Sequence, residues 1–281
     1  MCKSQITLRK FLKLFLQIFF YNIVITAIFM IAGYEPISVK SIVKNAWPIM
    51  DIGKSFTSSY LLFYMFIPYL NILIANIERR SHGQLIMLCL LIYSLLGQVP
   101  FIDVRMSYVS WFCVLYFIAS YIRLYGLYRD GDVAFWRNVT LISLGGVIVF
   151  TVAWLSLRTN VPYFFVSDSN KPLALLIAVS SFMFFKNLNL KYNNTVNLVA
   201  ASTFGILLIH ANSDIMRRWL WQDVFHNINA YYSDYVYLHA ISVPLMVFTV
   251  CSLIEIVRLK VIEKPLLKIV YQFCRKYIPY E

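Results

Sequence analysis

The sequence predicts an all-α protein, a polytopic bundle of about eight transmembrane helices with both termini on the cytoplasmic side. Three observations lead there. Of 281 residues, 60% are hydrophobic and only 14% charged, whereas a soluble domain carries roughly a quarter charged residues. The mean hydropathy is +0.68, and long apolar runs recur along the chain; about 20 residues suffice to cross the hydrocarbon of a bilayer. The Lys and Arg residues lie between those runs and are unevenly shared between alternate stretches, as the cytoplasmic preference of basic residues requires.

Residues 1–13 hold Lys3, Arg9, Lys10 and Lys13, and the apolar run Leu14–Gly33 comes next with no small-residue cleavage site, so it reads as a retained helix. In the next segment, Thr57–Ile77, Tyr60, Tyr64, Pro68 and Asn71 recur at three- or four-residue steps and share one stripe. Pro68 frees the Tyr64 carbonyl. The stripe suits a cavity lining, and equally a helix contact glued by Asn71. Gln84–Val99 is short. Met106–Tyr125 places Tyr116, Ser120 and Arg123 on one face, with Arg123 near the cytoplasmic end. There its planar fork either holds phosphate or snorkels to the interface. Val139–Leu157, the short Pro172–Phe185, Thr195–Asn212 and Val236–Val257 complete the set. Glu255 and Arg258 stand three apart and pair, and the adjoining IEKPLLKIV reads as a basic amphipathic segment on the anionic inner leaflet.

With a cytoplasmic N-terminus, 17 of the 25 Lys and Arg residues fall on inner stretches and eight on outer ones. The longest outer stretches are 34–56, with Trp47-Pro48, and 213–235, rich in Tyr, Trp and His. Their aromatics fit a headgroup belt or the mouth of a sugar site. The net charge of +12 forms no stripe interleaved with aromatics, so no nucleic-acid partner is expected and membrane lipids are. The five cysteines are scattered without CxxC spacing or a Cys/His cluster, which points to no metal site. No segment reads as a soluble domain and no internal repeat is seen, so 1–281 reads as one integral membrane domain.

Ala200–Trp221 is the stretch with most chemistry. Thr203, His210, Asp214, Arg217 and Trp221 stand three, four or seven residues apart and share one face if the helix continues past Ala211. An ionisable group in a membrane segment marks a functional site by default; the plain alternative is an interfacial histidine bonded to a neighbouring helix. Walker, Rossmann, GxSxG and HExxH patterns are missing.

Four stretches together resemble the acyltransferase-three family of integral membrane O-acyltransferases that act on bacterial surface polysaccharides: SSYLLFYMFIPYLN (58–71), WFCVLYFIASYIRLY (111–125), SNKPLALLIAVSSFMFFKNLNL (169–190) with STFGILLIH (202–210), and IEIVRLKVIEKP (254–265). The resemblance implies transfer of an acyl group, usually acetyl, from acetyl-CoA as donor substrate to a hydroxyl of a surface or lipid-linked polysaccharide, in a bacterial inner membrane and with no bound cofactor. It implies catalytic roles for His210 and Arg217 near the acceptor mouth. Thr203, Trp221, Tyr60, Tyr64 and Asn71 would line the passage, and Arg123 would contact the donor's phosphates. Family members open with two further transmembrane helices, the first bearing an Arg and the catalytic His. Here MCKSQITLRKFLKLFLQ is similar to the stretch just after the second of those helices, as if Met1 were an internal start. Acyl transfer needs a base that works near neutral pH, and His210 is the membrane-embedded candidate. A glycan flippase or polymerase component, or a truncated inactive relative, are the alternatives.

Overall fold

The computed structural model describes residues 7–39, 42–43, 47, 55–99, 102, 104, 106–157, 164–263, 265 and 267. Every regular element among them is helical. α1 runs Leu8–Ile31, α2 Phe56–Asn76 and α3 Arg79–Leu90, the last continued by a π turn over Leu91–Leu95 and a 3-10 turn over Leu96–Gln98. α4 is Tyr108–Tyr125, α5 Val133–Ser156, α6 Pro172–Asn187 and α7 Asn194–His210. α8, Asp214–Arg218, continues as a π-helix over Trp219–Val224; α9 is Asn227–Tyr231; and α10, Val236–Arg258, continues as a π-helix over Leu259–Glu263.

A helix lies over each of the eight predicted segments. Five of them (α1, α2, α4, α5 and α10 with its extension) are long and apolar enough to cross a membrane, and α7 with α8 makes a sixth if a pair bent by 94° is one span. The chain is therefore an all-helical protein of membrane type. Large apolar side chains stay exposed along α5, such as Ile142 at 74% and Val149 at 65%, which water disfavours and lipid accepts.

Local chemistry sets the helix ends more tightly than hydropathy does. The Thr7 hydroxyl accepts from Lys10 N–H and starts α1 six residues before its apolar run. Asp132 Oδ1 accepts from Phe135 N–H at 2.9 Å and likewise starts α5 ahead of 139. Gly126, at φ 68°, ends α4 in a conformation that favours glycine.

The chain divides into two compact units, a mid-chain one, Leu62–Lys191, and a terminal one, Ile6–Leu61 with Tyr192–Glu281. In the mid-chain unit, Ile122, Trp136 and Met183 form a buried cluster from α4, α5 and α6, and Thr140 Oγ1 donates to Ser180 Oγ at 3.0 Å between α5 and α6. In the terminal unit, Ile18, Tyr21, Ile25 and Phe29 of α1 pack with Ile206, Leu208 and Ile209 of α7, Met216 and Leu220 beyond it, and Val243, Val247 and Cys251 of α10.

Two expectations change. The stretch 213–235, predicted as an outer loop, is largely helical in α8 and α9. Trp47, predicted in the other outer loop, stands edge-on to Phe15 and Phe19 in the first half of α1, with centroids 6.1 and 6.4 Å away. Lys40, Lys44, Lys54, Arg105 and Arg158 lie outside the described residues.

Candidate functional site

α7 begins where Asn193 Oδ1 accepts from the N–H groups of Thr195 and Val196, and it stops at His210. The stop is written in the next residues. Ser213 turns extended, its hydroxyl accepts from Met216 N–H at 3.1 Å, and Asp214 takes the first turn of a new helix. The face expected to carry all of Thr203, His210, Asp214, Arg217 and Trp221 is therefore not formed, because the helix does not continue past Ala211. Thr203 is exposed, and its hydroxyl donates to the Ala200 carbonyl at 2.8 Å. Arg217 is exposed and pairs with Asp214 one turn away. Trp221 does return to His210, ring edge to ring face, with centroids 6.5 Å apart.

His210 is half-buried at the break. Its Nδ1 lies 2.7 Å from the Ile206 carbonyl. A carbonyl oxygen only accepts, so Nδ1 is the donor in this contact, and in the neutral ring Nε2 is then the acceptor. One residue beyond the turn, Asn212 Nδ2 donates to Asn22 Oδ1 of α1 at 3.0 Å and ties the break to the core. The result is an imidazole at a helix end whose Nδ1 is committed to the backbone.

On α2 the buried positions are Ser58, Ser59, Leu61, Phe63, Ile67 and Ile74, and no residue of the predicted stripe is among them. Tyr60, Tyr64 and Asn71 are half-buried and Pro68 is exposed. The Tyr60 ring leans on Phe204 of α7 at 5.7 Å. Asn71 Oδ1 accepts from the Tyr116 hydroxyl at 2.6 Å, which is the gluing role an intramembrane Asn performs between helices.

The mid-chain unit carries a pocket of about 510 Å³. Along α4 it is lined by Tyr116, Ala119, Ser120 and Arg123, positions that fall on one helical face. Gly126, Asp130, Phe182 and Lys186 complete much of the wall. The structure thus brings Arg123 together with Lys186, a cation that sequence periodicity did not connect to it. Lys186 Nζ donates to both Asp130 oxygens at 2.8 Å, and this pairing holds the Asp130 carboxyl below the usual carboxylate range.

A second polar group was visible in the sequence only as the Glu255–Arg258 pair. Glu255 has no solvent exposure. Arg258 grips it through Nε and Nη2, each at 2.7 Å. Gln17 Nε2 donates to Glu255 Oε1 at 2.9 Å and the Tyr21 hydroxyl to Oε2 at 2.5 Å. Arg258 Nη2 also reaches Glu263 Oε2 at 2.6 Å, and Lys13 reaches Glu263 Oε1 at 2.8 Å. Gly205 of α7 makes room, since a Cβ there would overlap the Glu255 carboxylate. Each charge has an opposite neighbour, so the cluster reads as a locked clasp of α1, α7 and α10. His82 was missed altogether. It is wholly buried, its Nε2–H donates to the Phe117 carbonyl at 3.1 Å, and its Nδ1 has no partner among the described residues. Nothing in the sequence around Ser81-His82-Gly83 marks it.

Compared with known families, with characterised proteins and with solved structures, the chain matches none.

Proposed function

We propose that the protein is an O-acyltransferase of the acyltransferase-three kind, which moves an acetyl group from acetyl-CoA to a hydroxyl of a surface or lipid-linked glycan. In this reading it crosses a bacterial inner membrane eight times with both termini in the cytoplasm. The observation that carries the reading is the state of His210. With Nδ1–H committed to the Ile206 carbonyl, Nε2 is the nitrogen to take the proton of an acceptor hydroxyl as its oxygen attacks the thioester carbonyl; the CoA thiolate leaves. Trp221, against the ring, supplies an aromatic wall of the sort sugars stack on. Arg217, exposed beside Asp214, is the acceptor-side cation, and Thr203, two turns before His210 on α7, is a lining residue. On the donor side Arg123 meets phosphate, with Tyr116, bonded to Asn71, further along the same wall; Tyr60, Tyr64 and Asn71 are the residues proposed to line the acceptor's passage.

Membranes containing the full chain, given radiolabelled acetyl-CoA and the glycan acceptor, test it. Label is expected to pass to the glycan, and His210→Ala to slow transfer at least about 100-fold, the usual scale for a general base, while Arg217→Ala slows it less. Absence of transfer with full expression, or wild-type rates in both variants, sinks the reading. A reporter fused after Glu281 and active only in the cytoplasm checks the proposed topology.

A further inference from the structure

The pocket of the mid-chain unit holds its charges unequally. Lys186 is taken by Asp130 through both oxygens, while the Arg123 side chain, exposed on the same wall, has no hydrogen bond or ion pair with any described residue. Asp130 is brought there by a shaped turn. Gly126 at φ 68° and Gly131 at φ 91° bracket it, Trp136 Nε1 donates to the Arg129 carbonyl at 3.1 Å, and a Cβ on Gly126 would lie 2.7 Å from Asp130 Oδ2. Glycine at 126 is thus what lets the carboxylate swing in against the end of α4.

The remainder of the wall is graded. From Arg123 to Tyr116 the face covers seven residues, roughly 10 Å at the helical rise. It passes from a guanidinium through Ser120 and Ala119 to a phenol already bound to Asn71, with Phe182 also on the wall. Such a wall accepts a molecule with an anionic head at the mouth and an uncharged arm inside. Two cations, Arg123 and Lys186, line this pocket, and an internal carboxylate covers one of them.

We infer that Asp130 is a built-in counter-anion standing in the place of a phosphate group, and that the pocket takes an organic phosphate which binds Arg123 and Lys186 by displacing Asp130 from Lys186. The inference rests on the acyltransferase reading only for its probe, acetyl-CoA; the headgroup of an anionic lipid offers the same phosphate chemistry.

The test uses the full chain in nanodiscs of phosphatidylcholine, with equilibrium binding of radiolabelled acetyl-CoA, and in nanodiscs containing phosphatidylglycerol, with bound lipid phosphorus counted after exchange into phosphatidylcholine. Asp130→Asn is expected to tighten binding about two- to fivefold, the worth of an exposed ion pair. The gain disappears in the Lys186→Gln background, and Arg123→Gln or Lys186→Gln alone weakens binding. This pattern with acetyl-CoA assigns a soluble organic phosphate; the same pattern in retained phosphatidylglycerol assigns a lipid headgroup, and either supports the counter-anion. Unchanged or weaker binding in Asp130→Asn in both arms, or a gain that survives Lys186→Gln, overturns it. A chain that transfers no label yet shows the pattern defeats the acyltransferase reading alone. A chain that transfers label while Asp130→Asn is neutral defeats only the counter-anion.

Discussion

Glu255 and Asp130 each grip a cation through both carboxylate oxygens, but Glu255 is wholly buried and the Asp130 side chain is about one-third exposed, at 32%. In the terminal unit the carboxylate is surrounded by four donated hydrogen bonds, from Gln17, Tyr21 and both arms of Arg258. No water takes over if one is lost, so the pair is a fixture. In the mid-chain unit, water or another anion can replace the carboxylate at Lys186 at little cost, because an exposed pair is worth about 0–1 kcal/mol. The same two charge types make a clasp in one place and an exchangeable contact in the other, and the difference lies in solvent access.

The sharpest way to break this comparison is to neutralise the buried carboxylate. Glu255→Gln leaves the buried Arg258 with only Glu263, which it shares with Lys13, as counter-charge, and is expected to lower stability in detergent by up to about 3–5 kcal/mol. The double variant Glu255→Met with Arg258→Met, which removes both charges, should recover most of that loss. Denaturant titration of both proteins decides; a Glu255→Gln chain as stable as wild type would make the clasp no more than a surface-like pair.

Gly205→Ala comes next. Its new methyl meets a carboxylate that four donors hold in place, so the strain has no cheap outlet. A loss of about 1–3 kcal/mol is expected, the scale of core overpacking, and Glu255→Asp in the same chain should relieve part of it by shortening the side chain. Equal melting temperatures for Gly205→Ala and wild type would show that the carboxylate has other room.

The smallest effect separates the exposed pair by pH. The Asp130 carboxyl is held low by the hydrogen bond from Lys186, so its contribution is complete above the ordinary carboxylate value of about 4. It is lost as pH falls through the lowered folded value. As pH falls below the ordinary carboxylate value of about 4, the gap in melting temperature between wild type and Asp130→Asn should narrow from its size at neutral pH toward that at pH of about 3. A gap that stays constant across that range would remove Lys186 as its cause.

Much of the helical layout was legible. The apolar runs place a helix over every predicted segment, because the free energy of moving a segment into hydrocarbon adds up along the segment itself. The break at 211–213 was also written in the chain, as Ser213 followed by Asp214, but an apolar period carried through it hides a capping signal. The Glu255–Arg258 pair was readable from its spacing; its other donors, Gln17 and Tyr21, stand 238 and 234 positions away in the chain and no local pattern links them. Arg123 was readable as a phosphate candidate, while its neighbour Lys186 and the carboxylate of Asp130, 56 positions from that lysine, were not.

By itself, then, the sequence determined that this is an apolar, all-helical chain with basic connecting stretches, since composition and periodicity act within one segment at a time. Only the tertiary structure decided which charges are sealed and which stay open, and which distant side chains meet them, as Gln17 and Tyr21 meet Glu255 and Lys186 meets Asp130. Those outcomes depend on groups brought together across space, and the energy of a charge or a lone pair is set by whatever lies within a few ångströms of it.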